Sequence, residues 1–153
     1  LLLMVRTTMN KLVEKYSELL LNAIRRARTT GNFIYICGNG GSACESDHFA
    51  QDLLGKGYRA ISLCNSGNIT AIGNDYGYED VFYRQIKVLG KKNDLLISLS
   101  TSGASSNILK ANLQAKNMGL KVFNFPTNKE TGLITAYTQD IHLQIFHRVY
   151  QSL

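Results

Sequence analysis

The chain has no Trp, a single Pro (Pro126) and three Cys in 153 residues, and each scarcity removes a class of protein. Cys37, Cys44 and Cys64 are odd in number and lack C-x-x-C spacing. That argues against a disulfide framework and a thiolate zinc site, and fits a reducing cytoplasm. No apolar run reaches the ~18 residues of a membrane span, so no membrane partner is expected. The opening Leu1 to Val5 is too short for a signal-peptide core, and Arg6 and Lys11 interrupt it. Acidic residues are few, 11 against 17 Lys and Arg. The cationic excess is scattered apart from Arg25, Arg26 and Arg28 and the pair Lys91 and Lys92. A nucleic-acid surface needs clustering with stacking aromatics in register, so no nucleic-acid partner is expected. A small anion, or no particular partner, suits such a surface.

With 44% hydrophobic residues, one core and one domain over 1–153 are expected. Glycine is plentiful at 13, which favours sharp strand-to-helix turns over linkers. Leu12, Val13, Tyr16, Leu19, Leu20, Ala23 and Ile24 fall at helical spacing, predicting an amphipathic N-terminal helix over about 8–29. Short apolar, β-prone runs predict strands at 33–37, 60–64, 94–99 and 121–125. Helices are predicted near 42–54, 67–73, 78–88, 106–117 and 137–151. Strands alternating with helices over about 33–153 imply an α/β fold, a parallel sheet with helices on both faces.

Two strand ends run into small, polar turns that open helices: Gly38 to Ser42, and Ser100 to Ser105. Free N–H groups at a helix start, with the positive end of its dipole, attract anions. Either loop alone is more simply a turn with an N-cap. The two together, the second with hydroxyls at Ser100, Thr101, Ser102 and Ser105, point to a phosphate cradle. The first loop lacks the final Gly of a dinucleotide fingerprint, and neither loop is a Walker A motif, which disfavours nucleotide chemistry.

His48 and Asp52 stand four apart on one predicted helix face, and Gln139 and His147 eight apart on another. These four suit either an acid/base pair or the ligands of a divalent metal. A local hydrogen bond and surface or core histidines are the plainer alternative. His142 faces well away from His147 and reads as structural. Asn74 and Asp75 read locally as a turn.

The stretches Cys37-Gly-Asn-Gly-Gly-Ser-Ala, His48-Phe-Ala-Gln-Asp-Leu, Thr70-Ala-Ile-Gly-Asn-Asp-Tyr-Gly-Tyr-Glu-Asp-Val-Phe, Ile97-Ser-Leu-Ser-Thr-Ser-Gly and Gln139-Asp-Ile-His-Leu follow one another along the chain. In that order they resemble the sugar-isomerase (SIS) domain family, and within it the phosphoheptose isomerases. The resemblance implies a flavodoxin-like three-layer sandwich and a homotetramer with active sites between subunits. The implied reaction interconverts sedoheptulose 7-phosphate and D-glycero-D-manno-heptose 7-phosphate through an enediol, in bacterial heptose and lipopolysaccharide precursor synthesis. It puts the base at Asp52 and the acid at His147. It assigns phosphate to Ser100, Thr101, Ser102 and Ser105, and the sugar to Asn39, Gly40, Ser42, Asn74, Asp75 and Gln139. Zinc in related proteins would be held by residues matching His48, Asp52, Gln139 and His147.

The chain departs from that pattern in three places. Asp52 is one methylene shorter than the usual Glu. Residues 54–59 are short of a loop, with segments near 55–57 and 132–137 expected to be missing from the sequence. Thr131 to Gln139 lacks the last strand and the Pro that commonly follows it. The alternative functions are a non-catalytic phosphosugar-binding scaffold, such as the relative that assists a replication initiator, and the sensing domain of a regulator.

Overall fold

Successive residues on the two central strands enter two different cores, and this alternation produces three layers. The computed structural model describes the backbone of residues 2–153 and the side chains from Thr7 onward, so the side chains of the opening apolar run lie outside the described residues. In chain order the elements are α1 (Leu2–Thr29), β1 (Ile34–Gly38), α2 (Gly41–Gly55), β2 (Ala60–Ser62), α3 (Ser66–Tyr76), a 3-10 turn (Tyr78–Asp80), α4 (Tyr83–Leu89), β3 (Leu95–Leu99), α5 (Ser106–Asn117), β4 (Lys121–Asn124), α6 (Asn128–Thr131) and α7 (Thr135–Ser152). The four strands are parallel in the order β2-β1-β3-β4. Ile34, Ile36, Leu95, Ile97 and Leu99 pack beneath α1, α2 and α7. Tyr35, Cys37 and Leu96 pack on the opposite face with Ile86 of α4 and Ile108, Ala111 and Ala115 of α5. No helix among the described residues is long and apolar enough to cross a membrane.

The chain runs from β1 through α2 to β2 on one side, then crosses to β3 on the other side of β1. Strand order therefore reverses between β1 and β3, the place in such sheets where ligands bind beyond the carboxyl ends of the strands. β1 and β3 pair from Ile34 with Leu95 to Gly38 with Leu99, so they end level.

Several element boundaries differ from expectation. The predicted helix over 78–88 is a 3-10 turn followed by α4, and Gly77, at φ +101°, separates that turn from α3. The second strand pairs only over Ala60–Ser62, although Leu63 N–H still donates to Ile36 O at 2.8 Å. α7 begins at Thr135, two residues before the predicted start. After β4 the chain enters α6, whose Thr127 and Glu130 form a capping box, and among the described residues no further strand follows. β4 is therefore an edge of this sheet.

The starts of β1 and β3 are held together by Asp94. Its carboxylate accepts from Phe33 N–H at 2.9 Å, Asn32 Nδ2 at 3.1 Å and Lys91 N–H at 2.8 Å, and the residue is buried. Removing it leaves three half-buried donors without their acceptor, each costing about 1 kcal/mol. Asp94→Ala is therefore expected to lower unfolding stability by about 3 kcal/mol, measured by urea denaturation, with Asp94→Asn losing less.

Candidate functional site

β1 and β3 deliver their loops side by side over the carboxyl end of the sheet. A cleft of about 340 Å³ opens there, lined from the first loop by Asn39, Gly40, Gly41 and Ser42, and from the second by Ser100, Thr101 and Ser105. Gln139 and Thr135 of α7 complete its wall. Gly40, at φ +57°, turns the chain into α2, and no side chain caps that helix. Ser105 precedes α5, which also lacks a side-chain cap. Two helix N-termini thus meet at one cleft without a side-chain acceptor of their own, which is an anion site in electrostatic terms.

Within the second loop the hydroxyls organise one another. Ser100 Oγ donates to Ser105 Oγ at 3.3 Å and accepts from Gly103 N–H at 3.1 Å. Ser102 Oγ accepts from Ala104 N–H at 3.1 Å, and Ser102 is absent from the cleft wall. Asn74 and Asp75 also lie off the cleft. They sit exposed in the last turn of α3, where Asn74 Nδ2 donates to Asp75 Oδ1 at 3.0 Å, so this pair is helical rather than a turn.

The other polar group lies along the seam between α2 and α7. Phe49 and Phe146 stack across it, with centroids 3.7 Å apart and planes 12° apart. That contact aligns His48 and Asp52 of α2 with His147 of α7. His48 Nε2 is 3.1 Å from Asp52 Oδ2, and the His48 and His147 ring centroids are 5.7 Å apart. Asp52 is mostly covered, with its side chain 20% exposed, whereas His48 is 43% exposed. Of the four predicted acid/base or ligand residues, His48 thus neighbours both Asp52 and His147. Gln139, two turns earlier on α7, belongs to the cleft. At 1.5 Å per residue, about 12 Å of helix separates Gln139 from His147, and about 15 Å separates Ser42 from Asp52.

Two imidazoles, a carboxylate and an amide are suitable donors for zinc. Their arrangement is not a preformed cage. His48 Nε2 faces Asp52, and among the described residues no group of three or more His, Cys, Asp or Glu is placed to hold a metal ion. Among the described residues no cysteine lines the cleft. Burial pushes the Cys37 thiol up to about 12 and raises that of Cys64, so both stay protonated at neutral pH.

His142, expected to be structural, is fully buried, and its Nε2 lies 2.7 Å from Pro126 O. Its Nδ1 stands 3.8 Å from Glu45 Oε2, and neither atom has a hydrogen-bond partner among the described residues. Glu45, Tyr78, Asn107 and Thr135 went unnoticed in the sequence. Asn107, directly after Ser105-Ser106, could have been found from its place in the first turn of α5. Tyr78 falls in the quoted stretch from Thr70 to Phe82 but had no role assigned, and its hydroxyl reaches Asn39 beside the sheet end.

Residues 1–125 match the SIS domain family. This chain belongs to it. The phosphoheptose isomerases of Escherichia coli O139:H28 and Shigella boydii serotype 18 are each 34% identical, over 96% of this chain and 85% of their own length. Those alignments run over 165 positions, more than the chain's 153 residues, so gaps fall in this sequence within the matched region. Among solved structures, phosphoheptose isomerase GmhA from Neisseria gonorrhoeae superposes with a TM-score of 0.89 at 27% identity, covering 98% of this chain and 91% of that one. A phosphoheptose isomerase from Francisella tularensis gives 0.85 at 26% identity, covering 97% and 90%.

Gly41 tests the cleft directly. A Cβ there would lie 2.5 Å from Gln139 Nε2, a flexible side-chain tip, so the amide would be pushed away while the backbone stayed in place. Gly-to-Ala within a helix is otherwise stabilising by about 0.5–1 kcal/mol. Gly41→Ala is expected to keep or raise the thermal midpoint while weakening inorganic phosphate binding about tenfold by calorimetry.

Proposed function

We propose that this SIS domain protein is a phosphoheptose isomerase, interconverting sedoheptulose 7-phosphate and D-glycero-D-manno-heptose 7-phosphate in heptose and lipopolysaccharide precursor synthesis. The observation that carries the reading is the single α2–α7 seam. It presents an anion cleft at Ser42 and Gln139, and a carboxylate with two imidazoles further along at Asp52, His48 and His147. The similarity to phosphoheptose isomerases at 34% identity supports the same substrate.

In the proposed chemistry the phosphate sits between the two loops and acts as a handle. Remote binding holds the reacting carbons in place, which is worth rate rather than affinity alone. Asp52 removes a proton from C1 of the ketose while His147 protonates the C2 oxygen, giving the enediol. Return of a proton to C2, with loss of the C1 hydroxyl proton, leaves the aldehyde at C1. His48, at 3.1 Å from Asp52, orients the carboxylate for that transfer. A seven-carbon phosphosugar, extended, spans about 10 Å from phosphorus to C1 on ordinary bond lengths. That approaches the separation between cleft and acid/base group, whereas a triose phosphate falls well short.

The remaining gap and the exposure of His147 favour a site completed by a second copy. A cavity of about 510 Å³ lies open beside His147, between Asn10 and Glu14 of α1 and Gln144 and Arg148 of α7. We therefore include a homotetramer with sites between subunits, residing in the cytoplasm, in the proposal. Zinc enters only through the donor set His48, Asp52, Gln139 and His147, and its binding requires the His48 ring to turn from Asp52. If it binds there, zinc should raise the thermal midpoint reversibly with EDTA, and His48→Ala should abolish that shift.

Turnover of sedoheptulose 7-phosphate, followed by aldose appearance, tests the whole reading. Asp52→Asn and His147→Gln should each lower kcat by about 10²–10⁴ while light scattering shows an unchanged assembly. Near-normal rates in both would remove their roles. Phosphosugar binding without turnover in the wild type would favour the non-catalytic scaffold.

A further inference from the structure

Asn39 sits in the first phosphate loop, yet its side-chain amide is already engaged away from the cleft. Its Nδ2 donates to Asn107 Oδ1 at 2.9 Å, and its Oδ1 accepts from Asn107 Nδ2 at 2.8 Å and from the Tyr78 hydroxyl at 3.0 Å. Both of its acceptor lone pairs and one of its two N–H donors are thereby used. Asn107 is only 2% exposed, and its Oδ1 accepts a second bond from Ile108 N–H at 2.9 Å. A backbone N–H can only donate, so it fixes which end of the Asn107 amide is oxygen. The reciprocal pairing then fixes the orientation of Asn39.

The partners come from three parts of the chain. Asn39 follows β1, Asn107 lies in the first turn of α5 after β3, and Tyr78 opens the 3-10 turn beyond α3. That turn is itself docked on α5 one helical turn further along, where Lys110 Nζ lies 2.5 Å from Asp80 Oδ1. Arg84 of α4 holds the other Asp80 oxygen at 3.1 Å.

We propose that Asn39, Asn107 and Tyr78 form a latch that sets the spacing of the two phosphate loops, with Tyr78 and Asn107 as positioning residues for the anion rather than contacts to it. The inference rests on the cleft being the phosphate site of the proposed isomerase. An anion shared between two loops is held well only if the loops keep their separation, and misplacement by about 1 Å costs much of the benefit. The amide pair supplies that constraint from behind the loops. Tyr78 is 57% exposed, so its hydroxyl closes the latch without contributing a buried core contact.

The test measures inorganic phosphate binding by calorimetry and sedoheptulose 7-phosphate kinetics for the full chain, Tyr78→Phe, Asn107→Ser, Asn39→Ser and the Asn39→Ser/Asn107→Ser double variant. Tyr78→Phe removes one exposed hydroxyl and should leave the thermal midpoint unchanged. It is expected to weaken phosphate binding about three- to tenfold and to raise KM by a like factor, with kcat within about twofold. The Asn107 and Asn39 single variants should lose more, and the double variant no more than the worse single, since either change opens the same latch. Additive losses, or wild-type phosphate affinity in Tyr78→Phe and Asn107→Ser while the wild type binds phosphate, would overturn the latch alone. Absence of phosphate binding by the wild type would overturn the cleft reading and the latch with it. Should Asn107→Ser fail to fold, Tyr78→Phe decides the matter.

Discussion

The parallel ladder between β1 and β3 is the contact on which the site depends. Five residue pairs, Ile34 with Leu95 through Gly38 with Leu99, bring both strands to a stop at the same height. The two loops can therefore share a ligand. A one-residue slip would turn Ile34, Ile36 and Ile97 from one core to the other and misalign the loops at once. Asp94 secures the opposite end of the same ladder by accepting three donors beneath it.

The second organising contact is the α2–α7 seam. Each helix begins near the cleft and runs away from it, so anion binding and proton chemistry are graded along one groove. Phe49 against Phe146 sets the spacing, Gln139 closes over Gly41 at the cleft, and His48 meets His147 farther down. Between these stations lie the buried Glu45 and His142, of which His142 ties α7 to the Pro126 carbonyl through its Nε2. Asp52 meets its neighbour His48 on the same helix face of this groove.

Among the described residues the chain passes from β4 to α7 through a short connection that leaves the site intact. α6 is short but well terminated by its capping box, and the Tyr16 hydroxyl also bonds to Glu130, tying this corner to α1. α7 then returns at Thr135 to the cleft wall. A sheet edge at β4 is tolerable because Lys121 and Asn124 are exposed there, as polar and charged residues often are on edge strands.

Much of this was legible along the chain because it rests on local rules. Short continuous apolar runs announced the strands, helical spacing announced the N-terminal helix, and two Gly/Ser/Thr turns at strand ends announced the cleft. His48 and Asp52 are one helical turn apart, so their contact follows from α2 being a helix. Other features depend on what folding brings together from distant segments. That Asn39 spends its amide on Asn107 and Tyr78, that Ser102, Asn74 and Asp75 stay off the cleft wall, and that Glu45 is buried against His142 are outcomes of sheet order and helix packing. Sequence by itself determined the elements and the kinds of chemistry on offer, since both follow from side-chain type and spacing. Only the tertiary structure decided which groups meet, because contacts between residues 39 and 107, or 48 and 147, exist only once parallel strands and crossing helices have closed the distance.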